Sequence, residues 1–448
     1  MKKMIALACV GLMAASVVTG CSSGKKDSDT PDVPMEDGKR VLTFDSFSGG
    51  NGQEVFTEMK KAFEKENPEV TVKLRFEKEL DKVLDKENAK GTYSDVVYYN
   101  LGQPSGYTEK QLNTKEVADI SDVFTNLKDN MDPAYANNSV VQYYGDGKQY
   151  LLPLKTTPAG FFYNTELVGE GKKYALPETW DDMWALGEKA KADGISLFTY
   201  PVKGYFDNTL NALLGQSGGE DFLKNVLQYK DGTWDSKEGK AVLDIIGKLA
   251  SKDNLFKDTV ANANAKDGFT NNQQAVIDGK ALFMPNGDWI VNEMAKTTPE
   301  KGFHWGLMSL PALTKGGDRY VASMTEQMFI PKQAKNIADA KKFLEFIYSE
   351  EGSNIMLKYG SVVPVKDFAK KVDSLEDGYT KEFFSVYKNS KSVIGAFAPY
   401  DTKALPDMNL KATVFGPIDE IATGKKTVDE WQKELVEAWT KLRENPLK

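Results

Sequence analysis

The chain runs to 448 residues, enough for two or three domains, with 57 lysines and arginines against 65 aspartates and glutamates and a net charge of −8. That acidic balance argues against nucleic acid and against adhesion to anionic lipid. One histidine, His304, and two cysteines, Cys9 and Cys21, are thin material for a zinc site or for general-base catalysis, so no metal or cofactor is expected.

The chain opens Met1-Lys2-Lys3-Met4, continues through a short apolar run, and reaches Val18-Thr19-Gly20-Cys21. A charged start, an apolar stretch and small residues before a cysteine read as a bacterial secretory signal over residues 1–20. The residues before Cys21 resemble a lipobox, where the sulfur takes diacylglycerol and the chain is cut. The apolar run is short for a bilayer span, which takes about 20 residues. Cys21 is therefore expected to be the acylated mature N-terminus, held on the extracellular face of a cell membrane and pointing to a Gram-positive source. Residues 21–39 are rich in Ser, Asp and Pro and read as a disordered tether, with Arg40 at its end. Cys9 leaves with the signal, so no disulfide is expected.

Val41-Leu42-Thr43-Phe44 predicts a strand, and the Gly-rich stretch 46–52 a loop. Val55, Phe56, Met59 and Phe63 recur at helical spacing over residues 54–66, and Asn67-Pro68 ends the helix. Strands follow at Val70–Leu74 and Asp95–Tyr99. Strand, helix, strand at this spacing predicts a parallel α/β layout. In such sheets ligands sit beyond the carboxyl ends of strands, which points at Phe47 and Ser48 and at Tyr99, Asn100 and Gln103. The loop Ser48-Gly49-Gly50-Asn51-Gly52 lacks the lysine-serine ending of a phosphate loop and reads as a tight turn. His304, in the apolar run 302–306, reads as a core histidine.

Further motifs follow in order. They are Asp146-Gly147-Lys148 with Tyr150 and Pro153, then Gly160 with Tyr163-Asn164 and Leu167, then Pro177-Glu178-Thr179-Trp180-Asp181. Gly279-Lys280-Ala281 with Pro285-Asn286-Gly287-Asp288-Trp289, the run from Ala338 to Glu350, and residues 418–430 complete the set. Together they resemble the extracellular solute-binding proteins of ABC importers, in the sugar-binding group that includes maltose-binding protein.

The resemblance implies an α/β fold of two lobes around a ligand cleft, the type II periplasmic-binding-protein arrangement, with three crossings. On the motifs, the first lobe takes 40–155 and 288–348 and the second 156–284 and 352–448. The crossings are expected near Lys155–Thr157, near Pro285–Gly287 and near Glu351-Gly352. The resemblance also implies a monomeric receptor that catalyses nothing and delivers a carbohydrate, an oligosaccharide rather than an anion, to permease subunits. Aromatic rings stack on sugar faces while Asn, Gln, Asp and Glu satisfy hydroxyls. Trp289 matches the family's stacking tryptophan, and Tyr205 or Phe206 its second-lobe cleft aromatic. Thr157 and Asn286 lie at crossings, and Glu326 is a cleft candidate in a polar break between two strand pieces of the first lobe. A polyamine, iron complex or peptide on the same fold is the alternative; a secreted carbohydrate-active enzyme is remote, since no H-E-x-x-H pair is present.

Overall fold

The computed structural model describes residues 33–47, 52–103 and 105–447. The signal, Cys21, most of the tether and Ser48 lie outside the described residues.

The first lobe is built on β1 (Met35–Glu36), β2 (Lys39–Phe47), β3 (Val70–Glu77) and β4 (Val96–Tyr98). β2 runs parallel to both β3 and β4, with Phe44 opposite Leu74 on one side and Val96 on the other. The helix Glu54–Glu66 lays Val55, Phe56, Met59, Ala62 and Phe63 on this sheet, and Phe56 meets Phe44 at 4.9 Å between ring centroids. Each of the Val, Phe and Met side chains contributes about 1.5–3 kcal/mol. β1 pairs antiparallel with β2, Met35 opposite Arg40, so ordered backbone begins before the expected tether boundary at residue 39. Arg40 is not tether: it sits in β2 and grips the buried carboxylate of Asp339 at 2.7 and 3.0 Å.

Two long strands join the lobes. β5 (Leu152–Asn164) starts in the first core with Leu152 and Leu154 and ends in the second with Phe161. The second lobe adds β6 (Ser196–Phe198), β7 (Ala281–Asn286) and β8 (Trp305–Met308) to the far end of β5. The other crossing strand, β9 (Tyr320–Phe329), lies antiparallel to β5 from Leu152↔Met328 to Ala159↔Ala322. Its register slips between Pro153 and Lys155, where a proline has no N–H to donate. β10 (Lys391–Val393) pairs parallel with the start of β9. Around the second core pack the helices Trp180–Ala192, Phe206–Leu227, Lys237–Leu249 and Val428–Glu444. Thr179 and Asp182 close a capping box on the first of these.

The expected boundaries shift in three places. Residues 288–308 stay with the second lobe: Ile290, Met294, Phe303 and Trp305 share a cluster with Phe162 and Met284. Residues 352–372 belong to the first lobe, because Ile355, Met356, Val362 and Phe368 pack with Phe343 and Phe346. Gly352 is no hinge. It lies in the helix Glu350–Lys358 capped by Ser349, where a β-carbon would meet the Phe346 carbonyl oxygen at 2.1 Å. The last crossing falls between Phe384, in the first core, and Val393, in the second. Residues 323–327 do not break a strand; they are the middle of β9. His304 is not a core residue: Phe303 and Trp305 alternate inward, and His304 stacks outside on Tyr379 and pairs with Glu382 at 2.6 Å.

Candidate ligand-binding site between the lobes

The crossing strands form the floor. In antiparallel register Lys155 of β5 faces Glu326 of β9, and Thr157 faces Met324 on the same side. Lys155 and Glu326 are 7% and 9% exposed, and the Lys155 Nζ stands 3.3 Å from Glu326 Oε1. The Tyr98 hydroxyl, at the end of β4, donates to Glu326 Oε2. Burial pushes the Lys155 ammonium below the usual lysine range, and the negative charge of Asp288 opposes that shift. Thr157 Oγ1 is buried with no hydrogen-bond partner among the described residues. On the opposite side of β5, Thr156 shares a 2.7 Å hydrogen bond with Tyr135.

The first lobe supplies one wall from the carboxyl ends of β2 and β4. Phe47 is half-buried, 4.8 Å from Tyr98 and 5.7 Å from Tyr99 between centroids. Tyr99 is itself buried, edge-on to Tyr107 and bonded to Ser105 at 2.9 Å, so its ring braces Phe47. Asn100 is buried too, and its Oδ1 accepts the Gln327 backbone N–H at 3.0 Å, tying the strand end to β9. Gln103 is half-buried in the following turn, where its carbonyl accepts from Gly106.

The second-lobe candidates lie beyond β7 and at the start of the helix Phe206–Leu227. Trp289 follows β7, and its indole folds back over Gly287 so closely that a β-carbon there would lie 2.1 Å from the ring. Asn286, buried, caps that turn by accepting the Gly287 N–H at 2.9 Å. Tyr205 meets Trp289 edge-on at 6.1 Å, and both rings are half-buried. Phe206 is not a cleft residue: it is fully buried against Phe198 and Tyr200, because it opens the helix Phe206–Leu227 on the core side. The next residue, Asp207, is exposed at the surface of the cleft, and the protein crowded around it desolvates its carboxyl and pushes it up to about 6 against the pull of the Asn208 N–H and Lys411. Lys411 reaches across to the first lobe and donates to the Gly102 carbonyl at 2.5 Å.

Trp289 and Tyr205 are thus brought together, as are Phe47 and Tyr99, and Glu326 with Thr157 on the floor. Lys155, Tyr98, Asp207, Asp288 and Lys411 escaped the sequence reading. Lys155 stood in an apolar strand run that gave no sign of a buried charge, and Lys411 is distant in sequence from the wall it contacts. A cavity of about 480 Å³ beside Leu176, Asp182, Lys189 and Lys315 shares no residue with this floor and has no aromatic lining.

The family model for bacterial extracellular solute-binding proteins matches residues 49–354. The multiple sugar-binding protein of Streptococcus mutans is 25% identical over 72% of this chain and 75% of its own length. The arabinooligosaccharide-binding protein of Bacillus subtilis is 24% identical over 79% and 78%. The solved bacterial solute receptor AcbH, described as exclusively preferring β-D-galactopyranose, superposes with a TM-score of 0.66 at 20% identity, covering 91% of this chain and 99% of that one. That likeness identifies the two-lobe fold. The chain belongs to the bacterial extracellular solute-binding proteins, the binding components of ABC transporters.

Proposed function

We propose that the chain captures a carbohydrate, an oligosaccharide among its ligands, between the lobes and hands it to the permease subunits of an ABC importer, working as a monomer lipid-anchored through Cys21. The observation that carries the ligand class is the pairing of half-buried rings, Trp289 with Tyr205, in the second lobe, with half-buried Phe47 beside Tyr98 in the first. Flat apolar rings suit the C–H face of a sugar, and the carboxylates of Asp207, Asp288 and Glu326 suit its hydroxyls. Sugar-binding relatives in Streptococcus mutans and Bacillus subtilis support the same reading.

The chemistry of the site weighs against the rival ligands. A polyamine needs carboxylates unopposed between aromatic walls, whereas Lys155 pairs with Glu326 and Lys411 lies within reach of Asp207. Iron carriers use phenolates, whereas burial pushes the Tyr143 hydroxyl well above its usual range and keeps it protonated. No described helix is long and apolar enough to cross a membrane. Tryptophan fluorescence of the full chain, titrated with neutral saccharides, spermidine and ferric citrate, separates these ligands. The reading expects saturable quenching by a saccharide alone; a response to spermidine or ferric citrate instead overturns it.

A further inference from the structure

Residues 394–398 leave β10 and run between the lobes as a strap, held on both sides. On the first lobe, the Ala396 N–H donates to Ser139 Oγ at 2.9 Å, and Ile394 and Ala396 pack against the cluster that holds Tyr99, Tyr143 and Phe329. On the second, Asn211 Nδ2 donates to the Gly395 carbonyl at 3.1 Å, and the Ala398 N–H donates to the Leu227 carbonyl at 2.8 Å. The Tyr229 hydroxyl also donates to the Ala398 carbonyl, and its ring lies parallel to Phe397. At Gly395 a β-carbon would meet the Leu227 side-chain methyl at 2.5 Å, so Leu227 packs close against the strap.

Strand order fixes which end of the cleft the strap occupies. β10 and β4 both lie on the β9 side of the floor, whereas β7, which leads into Trp289, lies beyond β5. The strap therefore rises at the end of the floor away from β7. Asn211 is one helical turn beyond Asp207, so the strap lies alongside the face that carries Asp207. The bridge from Lys411 to Gly102 closes the same side from the rim. Tyr229 and Phe397 both pack on Trp439, which places aromatic bulk behind the strap on the second-lobe side.

We propose that the strap walls off this end of the cleft, so that the site is open only on the Trp289 side and takes the end of a saccharide chain, never its interior. The inference rests on the carbohydrate reading above. A chain end can enter past Trp289 and Tyr205 and stop against the strap, with the remaining units trailing outward. A ring-closed saccharide has no end to insert.

The test has two arms on the full chain. In the first, hydrogen exchange without any saccharide follows the amides of residues 395–398. Wild type is expected to show Ala396 and Ala398 slowed at least about a hundredfold relative to open chain, the protection falling at Ala396 in Ser139→Ala. Open-chain exchange rates in wild type overturn the wall whatever the protein binds. In the second, an array of free malto-, chito-, galacto- and arabino-oligosaccharides of one to six units is compared with cyclodextrins and cycloalternan. Binding confined to linear members, with a gain of at least about tenfold for a cyclic member in the Ser139→Ala/Asn211→Ala double variant, supports the wall. A cyclic saccharide that binds wild type as tightly as its linear counterpart overturns it. An equal loss for every ligand in the double variant also overturns it, since the strap then acts only as packing. Failure of every saccharide overturns the carbohydrate reading instead, and the exchange arm alone then judges the wall.

Discussion

Replacing Glu326 by glutamine tests how the cleft floor is held. The Lys155 ammonium lies 3.3 Å from the Glu326 carboxylate, with both side chains nearly sealed from water. At that separation and an effective dielectric constant of about 20, their attraction is about 5 kcal/mol. Several kilocalories per ion of desolvation offset it, so the intact pair adds little net stability. Removing one partner is different, because the buried lysine then loses its counter-charge while the Tyr98 hydroxyl loses a charged acceptor. Glu326→Gln is therefore expected to cost about 3–5 kcal/mol, and adding Lys155→Met to recover most of it, to within about 1 kcal/mol of wild type. The stranded lysine can also shed its proton. Burial already lowers its folded pKa below the unfolded value, so raising the pH toward the unfolded lysine value favours the folded state. The loss in Glu326→Gln should accordingly shrink between pH 7 and 9. Urea unfolding followed by circular dichroism and tryptophan fluorescence measures the cycle, with both transitions recorded should the lobes melt apart. A loss under about 1 kcal/mol, with no recovery at high pH, refutes a sealed pair on the floor.

Three further outcomes follow from the same geometry. Trp289→Ala should weaken the tightest saccharide by about 2 kcal/mol, roughly thirtyfold, by calorimetric titration, while Phe206→Leu should leave affinity within about twofold and lower stability instead. Arg40→Ala should cost about 1–3 kcal/mol in chemical denaturation, because Asp339 is buried. Burial favours protonation of Asp339, but hydrogen bonds from Arg40 and Asn336 outweigh it and hold the carboxyl below its usual range; their stabilisation is full above about pH 4 and lost as pH falls through the folded value, so Arg40→Ala should flatten the acid limb of the melting temperature. Desolvation by the surrounding protein pushes the Asp207 carboxyl up to about 6, so below that pH it accepts hydroxyl protons less as an anion; saccharide affinity should fall as pH drops from 7 to 5 in wild type and stay level in Asp207→Asn.

Much of this arrangement is written in local patterns. The apolar spacing Val55, Phe56, Met59, Phe63 defines the first helix, and the β-branched runs at Val70 and Val96 define its flanking strands. The aromatics at Trp289 and Tyr205 could be named from the motifs that carry them. What local pattern could not supply was which lobe each late segment joins. Gly352 looked like a hinge because glycine often is one, yet it serves close helix packing against Phe346. Glu326 looked like an interruption because charge seldom lies within a strand, and pairing with Lys155, 171 residues earlier, and with the Tyr98 hydroxyl lets it stay there. The strap at 394–398 owes its position to Ser139 and Asn211, two contacts that no spacing within the segment encodes.

Hydrogen exchange of the full chain with and without its tightest saccharide tests the central claim most directly. The account predicts added protection at residues 44–47, 98–103, 203–211 and 286–290, one set from each lobe, in a single complex. Protection confined to one lobe, or centred on the groove beside Leu176 and Lys315, contradicts a ligand held between them.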